Sequence, residues 1–190
     1  MVAGSRVSKR IMSAVLIATG LCAGSALAQA QSGFEMTSPP EAFISARSAF
    51  DEAWTNSGLA FTTVTFTKGS SAGFGQYEPR DGADFAGGEP LSVYAEPVGY
   101  GFTQGADGFS YSLTASYKLL NASGQVLAEQ DNFASFTGSG RSKQRELSAA
   151  LTFQFSGLPA GSYRLQTRFT DEAGGSQADF TLPFTVTGGN

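Results

Sequence analysis

Residues 157–175 read GLPAGSYRLQTRFTDEAGG. Pro159 and Gly161 supply turn chemistry. Behind them Tyr163, Leu165 and Phe169 point one way, while Arg164, Gln166, Arg168 and Thr170 point the other. A period of two with one oily and one wet face is the pattern of a half-buried strand. The same period recurs on both sides of this stretch. Tyr111, Leu113, Ala115, Tyr117 and Leu119 alternate with Ser110, Ser112, Thr114, Ser116 and Lys118. Leu147, Ala149, Leu151, Phe153 and Phe155 form a second comb, and Phe180, Leu182, Phe184 and Val186 a third. Pro183 lacks an N–H, which predicts a bulge or an edge position there. Strands wet on one face suit antiparallel sheets rather than buried parallel ones. About seven short strands with a turn every 8–12 residues predict a mainly β chain, with a sandwich of Greek-key type over residues 91–187.

Upstream the period changes. Ser38-Pro39-Pro40-Glu41 reads as a capping box with proline in the first turn. Phe43, Ala46, Phe50, Ala53 and Trp54 then follow at helical spacing, and Asn56-Ser57-Gly58 supplies a stop. The pattern predicts one amphipathic helix over 39–56 with Trp54 as a core anchor, and leaves open whether its apolar stripe packs on the sandwich or on a partner. Leu59 to Thr67 is rich in Thr, Val and Phe and reads as a strand. Residues 68–90 are crowded with Gly, Pro and Asp and read as a long loop, a length that is often functional. Asn121-Ala122-Ser123-Gly124 is a turn into Val126, Leu127 and Ala128, closing a hairpin.

The chain opens MVAGSRVSKRIMSAVLIATGLCAGSALAQAQ. Arg6, Lys9 and Arg10 precede a short apolar run, and Ala26-Leu27-Ala28 is a small-x-small site, so residues 1–28 read as a secretory signal peptide cut after Ala28 or after Ala30. The apolar run is short for a membrane span of about 20 residues. Residues 29–37 read as a flexible lead-in, and 38–190 as a single domain. Export predicts a periplasmic or secreted protein.

Composition narrows the chemistry. The chain has no histidine and one cysteine, Cys22, inside the signal segment. That removes the His base of a Ser-His-Asp triad and the usual ligands of zinc. No cofactor or metal is expected. The formal charge is −4, and the cleaved segment carries basic residues but no acidic ones. Such a balance argues against nucleic acid as a partner. Arg141-Ser142-Lys143-Gln144-Arg145 is a local basic run and reads as a solvated loop. The acids Glu78, Asp81, Asp84, Glu89 and Glu96 lie near one another in sequence; paired carboxylates can hydrolyse glycosides, and ordinary surface acidity is the competing reading.

The candidate binding residues are Tyr94, Glu96, Tyr100, Phe102, Phe74 and Tyr77. Rings on Gly-rich connections are how many sandwiches grip ligands; they serve equally well as a small satellite core. Glu96 falls on the wet face of its strand beside Pro97. It reads either as a displayed polar group or as the charge that guards a twisted edge strand.

The stretch from Gly88 to Val186 resembles a loose group of exported bacterial proteins of uncharacterised function. The matching segments are GEPLSVYAEPVGYGF (88–102), YSLTASYKLLNASGQVLAEQ (111–130), LSAALTFQFSGLPAGSYRLQTRFTD (147–171) and FTLPFTV (180–186). The resemblance implies an immunoglobulin-like β-sandwich in a Gram-negative envelope and brings no catalytic residues. Within it, Leu158-Pro159-x-Gly161-x-Tyr163-x-Leu165 is similar to the corner of such sandwiches, whose tyrosine hydroxyl bonds back to nearby backbone. The leading expectation is a non-catalytic exported domain that binds a protein or another envelope component. A carbohydrate-binding module using the loop aromatics is the alternative, and a carboxylate-dependent hydrolase is a third.

Overall fold

Nine strands and one helix make up residues 36–188, which the computed structural model describes. The signal segment and most of the lead-in lie outside the described residues. The helix α1 spans Glu41–Ser57. The strands are β1 (Ala60–Thr67), β2 (Asp84–Ala86), β3 (Leu91–Val98), β4 (Thr103–Gly105), β5 (Gly108–Asn121), β6 (Val126–Gly140), β7 (Ala149–Phe153), β8 (Gly161–Asp171) and β9 (Gln177–Thr187).

They form two sheets. One has the order β1-β3-β7, and the other runs β2-β9-β8-β5, with β6 on the far edge of β5 and β4 pairing its first residues. All pairings are antiparallel except β2 with β9, which is parallel. The fold is the mainly β sandwich that the alternation predicts, preceded by one helix. Inner faces supply the core: Leu91, Val93 and Ala95 of β3 and Leu151 and Phe153 of β7 pack with Leu113, Leu165, Phe169 and Phe184 of the facing sheet. Aromatic pairs bridge the layers, among them Phe61 with Phe169 at 5.2 Å and Tyr117 with Phe153 at 5.3 Å between ring centroids. Each such buried side chain contributes about 1.5–3 kcal/mol.

The corner forms as the resemblance implies. Tyr163 donates its hydroxyl proton to the Pro159 carbonyl at 2.8 Å. Pro183 lies in the length of β9 that β2 does not pair, so its missing N–H costs no ladder bond.

Several expectations change. The predicted loop 68–90 contains β2, which adds a parallel strand to the β9 edge. The predicted short strand at Val126–Ala128 runs on to Gly140, because a bulge around Asn132 (φ 49°) resets the register on β5 and brings Phe133 to 5.0 Å from Phe153. The capping box does not form. Pro40 is the N-cap, with ψ 150° and no side-chain cap, and the helix begins at Glu41 rather than 39. Proline disfavours the helical region in the residue before it, so the Pro39-Pro40 pair delays the start.

The structure answers what the helix stripe leaves open. Phe43, Ala46, Phe50 and Ala53 are exposed, and Trp54 is the buried residue of α1. The helix stands on the sandwich by its last turns. Gly58 ends it at φ 68° and packs against Gly99, where φ is +74° and an added Cβ would strike the Gly58 carbonyl. That approach is open only to glycine.

Candidate functional site

Two hydrogen-bonded assemblies at one end of the sandwich place every candidate residue. The first covers the outer face of the three-stranded sheet. Tyr94 and Glu96 project from β3 on that face, and residues 72–77 of the connection after β1 fold over them. Tyr77 stacks on Tyr94 at 4.0 Å between centroids. The Gly75 amide donates to the Tyr94 hydroxyl at 2.7 Å, and that hydroxyl donates to Glu96 Oε1 at 2.6 Å. Thr62 donates to Glu96 Oε2 at 3.1 Å. A register shift between Phe61 and Thr63 places the bulge of β1 opposite Glu96, which turns an extra hydroxyl toward it.

This geometry sets the electrostatics. Burial works against the charge of Glu96, but hydrogen bonds from the Tyr94, Thr63 and Thr62 hydroxyls and the Gly75 amide outweigh it and hold the carboxyl below its ordinary range. Burial first, and the Glu96 bond second, push the Tyr94 phenol up to about 12, so it stays a donor. Both readings of Glu96 as a displayed or edge group are corrected: β3 is the central strand of its sheet, and the loop seals its outer face. Tyr94 is fully buried and presents no ring to a ligand.

The second assembly ties α1 to the sandwich. The Trp54 indole N–H donates to the Tyr100 carbonyl at 2.9 Å, and the two rings meet edge-on at 5.1 Å. The Tyr100 hydroxyl donates to the Gln144 carbonyl at 2.7 Å. One residue on, the Gly101 amide donates to Asp171 Oδ2 at 2.7 Å. The other oxygen of Asp171 accepts from the Ala173 and Gly174 amides at 3.0 and 2.9 Å. Asp171 is thus a buried carboxylate consumed by the backbone of its own turn and of the 99–101 strap. Tyr100 is fully buried, and burial drives its phenol strongly upward. It too is corrected from displayed to internal. Phe102 and Tyr111 pack against it at 5.3 and 5.2 Å.

Between the assemblies lies an open cleft of about 780 Å³, walled by Phe50 and Trp54 of α1, Phe74, Val98, Lys143 and Arg145. Phe50 is 51% exposed and Phe74 39%. Arg145 sits over the rings of Phe50 and Trp54 at 5.2 and 5.3 Å, with Nη2 2.8 Å from Asp51 Oδ1. Of the six predicted residues, Phe74 opens on this cleft, Phe102 is half-buried behind it beneath Lys143, Tyr77 backs the loop, and Tyr94, Glu96 and Tyr100 are the framework beneath. Lys143 and Arg145, which read as part of a solvated loop, are cleft walls. Asp171 also escaped the sequence reading, although strand alternation from Phe169 places it on the oily face.

The acids do not converge. Glu78 and Asp81 face Lys68 at 2.8 and 3.9 Å, Glu89 pairs with Arg80 at 2.6 Å, Asp84 is exposed on β2, and Glu96 belongs to Tyr94. Glu89 is held below its ordinary range, first by the Ala86 amide and then by Arg80. Among the described residues no three His, Cys, Asp or Glu side chains gather into a metal-holding group. No described helix is long and apolar enough to cross a membrane.

No protein-family model matches the chain, and no curated protein matches it. Among solved structures it is similar to the CARDB domain of a Pyrococcus furiosus protein, solved in complex with di-metal ions. That likeness has 13% identity and a TM-score of 0.30, and covers 70% of this chain and 96% of the other.

Proposed function

We propose that this protein is a non-catalytic, exported β-sandwich domain, periplasmic or secreted, that binds a protein of the cell envelope through the α1 cleft. One observation carries the reading. Phe43 and Ile44 in the first turn and Phe50 two turns later stand 56%, 48% and 51% exposed on a helix that docks only by its end, beside an open aromatic cleft. Water-exposed apolar side chains grouped in this way mark interaction surfaces. The sandwich serves as a rigid mount, and the Trp54–Tyr100 and Tyr94–Glu96 assemblies hold the cleft walls. The separate engagement of the five acids supports a binding role over glycoside hydrolysis, which needs two carboxylates on one bond.

The test is retention of envelope proteins on the immobilised domain lacking residues 1–28. Wild type retains a discrete protein that the Phe43→Ser/Phe50→Ser double variant loses while its fold, read by circular dichroism, is unchanged. Equal retention by both removes the helix from the site. The carbohydrate alternative rests on Phe74 and Phe102. It predicts quenching of Trp54 fluorescence by oligosaccharide, lost in Phe74→Ala and kept in Phe43→Ser.

A further inference from the structure

The free edges of the two sheets are not alike. An edge strand offers unpaired N–H and C=O groups to any extended chain, and proteins blunt it with bulges, charge, proline or shortness. β1 carries a bulge and is bridged at its end by residues 78–80, where the Arg80 amide donates to the Phe66 carbonyl at 2.9 Å and the Lys68 amide to the Glu78 carbonyl at 3.0 Å. β7 is five residues long. β9 is covered at one end by β2 and carries Asp179 and Pro183 along the rest. The edge strand β6 has two halves. Its first half carries Glu129, Asp131 and the bulge around Asn132. Its second half, residues 134–140 (ASFTGSG), has no charge and no proline, and runs in unbroken register on β5.

The backbone directions on that half follow from one bond. The Glu172 amide donates to the Ser112 carbonyl at 3.0 Å, so Ser112 turns its backbone toward β8. Direction alternates along a strand, so Tyr111, Leu113 and Ala115 turn theirs toward β6. These three pair with Gly138, Phe136 and Ala134. Ser135, Thr137 and Ser139 therefore aim their N–H and C=O groups away from the sheet. All three residues are exposed, and among the described residues β6 has β5 as its one strand neighbour. Their short side chains lie on the wet face opposite Thr114, Ser112 and Ser110, where nothing bulky bars an approaching strand.

We propose that this edge takes a second copy of the chain, pairing antiparallel through residues 134–140 about a two-fold axis at Thr137 and joining the two six-stranded sheets edge to edge. In that register Thr137 faces Thr137 and Ser135 faces Ser139 of the second copy, so each outward N–H meets an outward C=O. The charges at the two ends of the edge set the direction. Asp131 precedes it and Arg141 follows it; both are exposed and neither makes an ion pair among the described residues. Glu129 is held by Lys118, and Asp131 stands near Arg168, which Asp179 already holds. Antiparallel pairing about Thr137 brings Arg141 of one copy opposite Phe133 of the other, two residues from Asp131. Parallel pairing would set each charge against its like. The edge is thus complementary to itself in one direction, and the interface makes no use of α1.

The test is sedimentation velocity of the chain lacking residues 1–28 over a dilution series. A monomer–dimer equilibrium in the micromolar range is expected, because so short a ladder is a small interface. Thr137→Lys sets two like charges opposite each other on the axis and should weaken dimerisation about tenfold. Thr137→Pro should also weaken it with an unchanged circular dichroism spectrum, since the lost N–H points outward and breaks no bond to β5. Arg141→Asp should weaken the dimer about threefold, and Asp131→Arg/Arg141→Asp should restore it. Amide exchange at Ser135, Thr137 and Ser139 should slow as the protein is concentrated. A chain that stays monomeric to about 0.5 mM overturns the inference, and slowing of the same amides by envelope extract would then name a foreign strand as the occupant. A dimer untouched by Thr137→Lys, no recovery in the charge swap, or a dimer lost in Phe43→Ser/Phe50→Ser also overturns it. The envelope-protein reading fails separately, by equal retention on wild type and Phe43→Ser/Phe50→Ser.

Discussion

The indole N–H of Trp54 meets the carbonyl of Tyr100 at 2.9 Å across 46 residues of sequence. Trp54 is the buried residue of α1, and residues 41–50 are all exposed, so the order of the helix depends chiefly on this docking point, with the Asp51–Arg145 pair beside it. Short helices without tertiary support are marginal in water. Trp54→Ala is therefore predicted to abolish amide-exchange protection over Glu41–Ser57 while β5 and β8 keep theirs. Hydrogen exchange read by mass spectrometry checks it; a helix that stays protected has another anchor.

Acid should loosen the cover over the three-stranded sheet. The Glu96 carboxyl titrates below its ordinary value of 4.5, so the stability it contributes is complete above that value and drains away as the pH falls through the lower folded value. Glu96→Gln is predicted to cost about 1–2 kcal/mol at neutral pH, because the Tyr94 and Thr62 hydroxyls lose a charged acceptor. As the pH falls below about 4.5 the variant should lose less further stability than wild type. Thermal melts across that range read both effects, and parallel wild-type and variant profiles contradict the assignment.

Thr167 should be improvable. Its side chain is fully buried on the core face of β8, and its hydroxyl has no hydrogen-bond partner. Thr167→Val keeps the shape and removes the unmatched polar atom, so stability should rise by about 1 kcal/mol, or about 3 °C in Tm. A drop in Tm would mean that the hydroxyl is satisfied after all.

The corner bond is a smaller matter. Tyr163→Phe removes the donor to Pro159, an exposed residue whose carbonyl can turn to water instead. The expected cost is about 1 kcal/mol, seen as a lower urea midpoint with an unchanged slope. A changed slope would implicate the corner in more than local stability.

Strand alternation made the sandwich legible from sequence, because each inner face had to be apolar to bury it. The same rule carried to its end also marks Thr167 and Asp171, which share the oily face with Leu165 and Phe169. Polar side chains there are easy to pass over, yet Asp171 is the carboxylate that pins the 99–101 strap. The helix was legible as a helix, but its burial was not. Periodicity shows that one face is apolar and is silent about whether the chain itself covers that face. The candidate aromatics had two equal readings, and the structure divides them: Tyr94 and Tyr100 went inward because Gly75 and Gln144 meet their hydroxyls, while Phe74 has no polar handle to bury. The cleft as a whole was invisible, since Phe50, Phe74 and Lys143 come from three distant segments.

The most direct test places a photo-crosslinking phenylalanine analogue at position 50 or, as a control on the opposite sheet, at the exposed Thr181, and irradiates each in envelope extract. Cleft binding predicts a discrete protein adduct at position 50 and none at 181. Adducts at 181 with none at 50 would place the contact elsewhere on the sandwich and contradict the role given to α1.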